Sequence, residues 1–209
     1  MFDYINLSIL AIFIPTFFFV SVTPGMCMTL ALSMGMSIGL KKTMYMMYGE
    51  LLGVGLVASS SVIGVAAIML TYPSVFVVLK YAGGAYLIYL GVTMWLSRGK
   101  MALDLNSCNF ELSNKKLAIQ GFVTAIANPK GWAFFIALLP PFIDDSLAFT
   151  PQLSVLIVLI LLLEFSSLMI YATGGVTLRK LLQNSSNVKL LNKIAGSMMI
   201  AIGFWLALG

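Results

Sequence analysis

Histidine is absent from this chain, and only 9% of its 209 residues are charged. The first absence removes the commonest proton shuttle and the commonest transition-metal ligand together. The second excludes an ordinary cytosolic enzyme, because soluble domains carry ~25% charged residues. Cysteine is almost absent too: Cys27 lies in the first apolar stretch and Cys108 in the polar middle, which is no disulfide framework. No phosphate-cradling loop or nucleophile constellation occurs, and Ser59-Ser60-Ser61 has no His base. The N-terminal residues carry Asp3 but no Lys or Arg, and no small-residue cleavage motif follows. The first apolar segment is therefore expected to remain in the mature protein.

What fills the chain instead is apolar: 60% of the residues, with a mean hydropathy of +1.02. A hydrocarbon core ~30 Å thick needs ~20 helical residues per crossing. The composition thus predicts an all-α integral membrane protein whose solvent is the lipid bilayer, with no room for a soluble catalytic domain. The net charge of +5 is spread over short loops rather than one patch, so it orients the chain in the membrane and does not point to nucleic acid. The fourteen methionines are scattered and are expected to be apolar filling; no metal and no cofactor is expected.

Charges divide the chain into six apolar segments: residues 4–40, 43–71, 74–97, 117–143, 151–178 and 193 to the end. The turn Tyr72-Pro73 separates the second from the third, a polar linker spans 98–116, and a polar loop spans 179–192. Lys and Arg fall in alternate loops: Lys41 and Lys42, then Arg98, Lys100, Lys115 and Lys116, then Arg179, Lys180, Lys189 and Lys193, with none in the intervening loops or tails. Positive loops stay in the cytoplasm, which predicts both termini on the periplasmic side.

The chain reads as one transmembrane domain over 1–209, built from two inverted three-helix repeats of about 4–97 and 117–209 around the cytoplasmic linker. Each half opens on a segment with a capping residue and a proline at its middle, Thr23-Pro24-Gly25 and Asn128-Pro129-Lys130. Each half closes on a helix with a shared start, Lys80-Tyr81-Ala82-Gly83 and Lys193-Ile194-Ala195-Gly196. A cap followed by proline starts a helix, and proline inside a helix breaks it. Helices 1 and 4 are therefore expected to be broken mid-membrane, with Thr23 and Asn128 as N-caps and the prolines at the first helical positions. Two half-helix N-termini, each carrying about half a positive charge, would meet there beside Lys130. The natural occupant is a carboxylate bound at Thr23, Pro24, Gly25, Asn128, Pro129 and Lys130.

Three more ionisable residues sit inside apolar segments: Glu50, Lys80 and Glu164. Each costs ~2.5–3.5 kcal/mol at the centre of a membrane helix, so lipid-facing positions are disfavoured and coupling or charge-pairing roles are expected. Lys80 could instead snorkel to the interface, and Glu50 with Lys80 could form a structural pair. Gly35 with Gly39 and Gly49 with Gly53 have the spacing for close helix contact, and Gly53 turns Glu50's face toward the bundle.

Val22-Thr23-Pro24-Gly25, Gly39-Leu40, Gly49 and Gly53 are followed in order by the block from Lys80 to Gly91, by Gly121, by Asn128-Pro129-Lys130, and by Phe134-Phe135 and Pro140. As a set, over roughly residues 15–143, these resemble the lysine exporter (LysE/RhtB) superfamily of bacterial amino-acid exporters. The resemblance implies secondary export of small amino acids or close derivatives across the inner membrane by antiport with protons. The substrate carboxylate would meet the two breaks, its ammonium group Glu50 or Glu164, and that acid would carry the proton. The family pattern continues Thr-Pro-Gly-Pro-Asn, whereas Met26 and Cys27 follow Gly25 here, which leaves open the substrate's identity. A metal-cation exporter of the same superfamily and a non-transporting membrane scaffold are the alternatives; homo-oligomer formation stays open.

Overall fold

The computed structural model describes residues 7–96, 113–139, 142–144 and 146–208. They form eight α-helices and no strand: α1 (Leu7–Val22), α2 (Met26–Ile38), α3 (Leu40–Thr71), α4 (Pro73–Leu96), α5 (Asn114–Ile126), α6 (Pro129–Leu138), α7 (Phe149–Gln183) and α8 (Ser185–Leu208). Both expected breaks are present. The first apolar segment divides into α1 and α2, bent by 58°, and the fourth divides into α5 and α6. By length and apolarity alone, Leu40–Gly64 and Phe149–Gly174 can each cross a bilayer, and the bent pair Ser8–Val22 with Met26–Ile38 makes a third span.

Two expectations are corrected. The polar stretch 179–192 is not a loop: α7 runs to Gln183 and α8 begins at Ser185. Charge marks where a helix leaves the apolar medium, but a helix satisfies its own backbone in water as well as in lipid and need not end there. Gly39 does not serve helix contact; at φ 77° it turns α2 into α3, a conformation that glycine adopts freely. Most of the linker, residues 97–112 with Cys108, lies outside the described residues. Its end is helical, since Ser113 caps α5 by accepting from the Lys116 amide at 3.4 Å.

The other spaced glycines do bring helices together. A Cβ on Gly49 would stand 1.8 Å from the Ala118 carbonyl oxygen, and one on Gly121 would stand 2.0 Å from that of Met46. The backbones of α3 and α5 therefore touch, which only residues without a side chain permit. Gly35 meets the Ala172 carbonyl of α7 in the same way, at 2.2 Å. Because Glu50 follows Gly49, this contact holds the acid inside the bundle. The buried side chains fall into two clusters. One is rich in phenylalanine (Phe13, Phe17, Phe134, Phe135, Phe142); the other is rich in sulfur (Cys27, Met28, Met34, Met46, Met47).

Candidate functional site

At each break the helix ends must satisfy the backbone groups that lose their partners. The second break follows the expected grammar. Asn128 is the N-cap of α6, its side chain accepts from the Lys130 amide at 3.2 Å, and Pro129 stands in the first turn. The last carbonyl of α5, Ile126, accepts from the Trp132 indole at 2.8 Å.

The first break departs from it. Gly25, not Thr23, is the N-cap of α2, and no side chain caps it. Thr23 turns back instead and donates its hydroxyl to the Phe19 carbonyl at 2.7 Å, closing the C-terminal end of α1. Pro24 lies between the helices. Two further carbonyls near the end of α1 accept from other helices: Tyr171 donates to Val22 at 2.8 Å, and the Lys130 ammonium donates to Val20 at 3.1 Å. Lys130 of the second break thus holds the carbonyl end of the first, while the start of α2 keeps its amides free of any side-chain cap.

The two breaks meet. A Cβ on Gly25 would lie 4.0 Å from Lys130 Nζ, and Asn128 Nδ2 lies 3.9 Å from Cys27 Sγ. The residues around this junction line a cavity. Thr23, Gly25 and Cys27 line it from the first break, Asn128 and Lys130 from the second, Glu50 from α3, and Ser21 and Glu164 from α1 and α7. Of the expected carboxylate-site residues, Thr23, Gly25, Asn128 and Lys130 face the cavity; Pro24 and Pro129 shape the breaks.

The two acids differ. Glu164 is met by the Ser21 hydroxyl, which donates to its Oε2. Glu50 is wholly buried, and neither of its oxygens meets a donor in good hydrogen-bond geometry among the described residues, although the Cys27 thiol and the Glu164 carboxyl stand next to it. The two carboxylates are close enough to act on one another, and the Lys130 charge acts on Glu164. The cavity therefore sets two acids against one ammonium group. The side chain of Lys80, and with it any pairing to Glu50, lies outside the described residues. Among those described, no group of three or more His, Cys, Asp or Glu is arranged to hold a metal ion.

Ser21 and Tyr171 were not expected from the sequence. Tyr171 carried a signal, lying seven residues after Glu164 and so on the same face of α7. Ser21 carried none beyond its nearness to the break.

An all-helical chain with membrane-spanning helices, broken twice around a charged cavity, has the build of a membrane transporter. It belongs to the LysE type translocator family, whose profile matches residues 18–209. Among curated relatives, the homoserine/homoserine lactone efflux protein of Salmonella typhi is 32% identical over 132 residues, 63% of each chain. The leucine efflux protein of Enterobacter sp. (strain 638) is 28% identical over 191 residues, 90% of this chain and 88% of its own. An uncharacterized membrane protein of Vibrio cholerae is 27% identical over 187 residues, 90% of each chain. No solved structure gives a significant match.

Proposed function

We propose that this protein exports small amino acids or close derivatives across the bacterial inner membrane in exchange for protons. The cavity at the two breaks carries the reading, because its polar groups fit the two ends of a zwitterion. The substrate carboxylate takes the Lys130 ammonium and the uncapped amides at the start of α2, where the helix dipole favours an anion. The α-ammonium takes Glu50, whose oxygens have no other partner among the described residues. The efflux proteins among its relatives support this substrate class.

The same carboxylate supplies the exchange. A buried carboxylate left charged and unpaired is costly, so it is either protonated or paired. Glu50 then holds a proton or a substrate ammonium, never both. Each state crosses readily, and the chain returns with a proton after releasing an amino acid. Glu164, already met by Ser21, is the fixed member of the pair.

The helix order supports a reading of six passes, α1 with α2, α3, α4, α5 with α6, α7 and α8, in two sets of broken, straight and straight. Two features support an inverted relation between the sets. The contacts of α3 with α5 and α6 have counterparts in those of α7 with α1 and α2. Helices α4 and α8 run antiparallel, since Gly84 meets Gly203 while Gly91 meets Gly196. With the basic loops in the cytoplasm, both termini are periplasmic.

Uptake into inside-out vesicles tests the function. Labelled amino acids should accumulate when an inward-to-outward proton gradient is imposed, and accumulation should collapse with an uncoupler. Accumulation of no amino acid by correctly inserted protein would overturn the reading.

A further inference from the structure

The cavity is layered, and the layering bears on which amino acids it takes. At the level of the breaks four of the lining helices present a polar group: Ser21 on α1, Glu50 on α3, Lys130 on α6 and Glu164 on α7. One turn away, ~5.4 Å along each helix, the same faces become apolar: Phe17 four residues before Ser21, Val54 after Glu50 with Val57 a turn further on, Phe134 after Lys130, and Ile160 before Glu164. These five residues are 0–8% exposed and belong to one buried cluster. All but Ile160 line the cavity. The rings form a fixed wall, with Phe17 5.5 Å from Phe134 and 6.1 Å from Phe135 between centroids.

We infer that this second layer is the subsite for the substrate's side chain, and that it selects neutral amino acids with apolar side chains over cationic or anionic ones. The inference rests on the proposed export reading and narrows it. An amino acid with its ammonium on Glu50 and its carboxylate on Lys130 leaves only Glu164 of the polar layer's charged groups, and Ser21 holds that carboxyl in the polar layer, away from the wall. Its side chain then projects along the Glu50–Val54–Val57 stripe of α3 into the phenylalanine wall. A charged side chain there is stripped of water and meets no counter-charge, which is costly. An aliphatic one gains by burying its apolar surface. Discrimination among aliphatic side chains rests on size alone, about 10–200-fold per methylene.

The test is release of preloaded leucine, methionine, valine, lysine or aspartate from liposomes containing the purified protein. Leucine, methionine and valine should all leave, within ~10–200-fold of one another, and lysine and aspartate more slowly than the slowest of them. Val57→Asp, which puts a carboxylate into the wall, should raise lysine release and depress leucine release. Phe134→Ala should favour bulkier side chains such as phenylalanine over valine, and it serves where the aspartate variant does not fold. Lysine or aspartate leaving as fast as leucine from the wild-type protein would overturn the apolar subsite and leave the export reading standing. Release of none of the five would overturn both.

Discussion

Lys130→Ala should abolish amino-acid export without removing the protein from the membrane. Its ammonium donates one hydrogen bond to the fold among the described residues, to the Val20 carbonyl, and that carbonyl keeps the Thr23 amide at 3.3 Å. What disappears is the cavity's ammonium group, and with it the partner of the substrate carboxylate. A hydrogen bond to a charged group contributes ~1.5–3 kcal/mol, a factor of roughly 10 to 150 in affinity. The variant also leaves Glu50 and Glu164 facing each other with no cation between them, so the flux loss should lie at the upper end. Lys130→Arg should not restore it, because a planar guanidinium is longer and bonds as a fork. Transport into vesicles at matched protein levels reads the effect; wild-type flux in Lys130→Ala would remove Lys130 from the site.

Glu50→Gln should separate stability from function. A carboxylate kept for structure has partners, and its loss destabilises. Glu50 has none among the described residues for either oxygen, so a neutral isostere should leave thermal unfolding in detergent unchanged or raise its midpoint. The substitution removes the group that alternates between proton and ammonium, so proton-driven accumulation should vanish. Functional sites often carry such a cost in stability. Accumulation at the wild-type level in Glu50→Gln would move the coupling role elsewhere, with Glu164 next in line.

Much of this site is written in local sequence. Asn128-Pro129-Lys130 marks a helix start because asparagine accepts backbone amides and proline has none to lose, and the break falls there. Thr23-Pro24-Gly25 marks a break equally well but is ambiguous about its caps. A threonine hydroxyl both donates and accepts, so it can close the helix behind it or open the one ahead, and here it closes the one behind. Glycines at i,i+4 gave the α3–α5 contact at Gly49, yet spacing alone could not separate Gly35, which packs, from Gly39, which turns.

The tertiary facts were beyond local reading. That Ser21 engages Glu164 while Glu50 meets no donor in good geometry among the described residues depends on how four helices converge, and no spacing encodes it. The aromatic wall is similar. In Phe17-Phe18-Phe19 composition cannot tell which ring turns inward; Phe17 is 3% exposed and Phe19 42%.

The central claim is that the two breaks build one amino-acid site, and Cys27 is placed to report on it. Its thiol lines the cavity beside Asn128, and in a Cys108→Ser background it is the one cysteine left in the chain. The measurement is the rate of Cys27 alkylation by a small maleimide in membranes at alkaline pH, where the buried thiol can ionise and react, with and without the transported amino acid. Occupancy should slow alkylation several-fold, and the protection should disappear in Lys130→Ala. Alkylation at the same rate with and without a saturating transported amino acid would contradict a substrate site at the breaks.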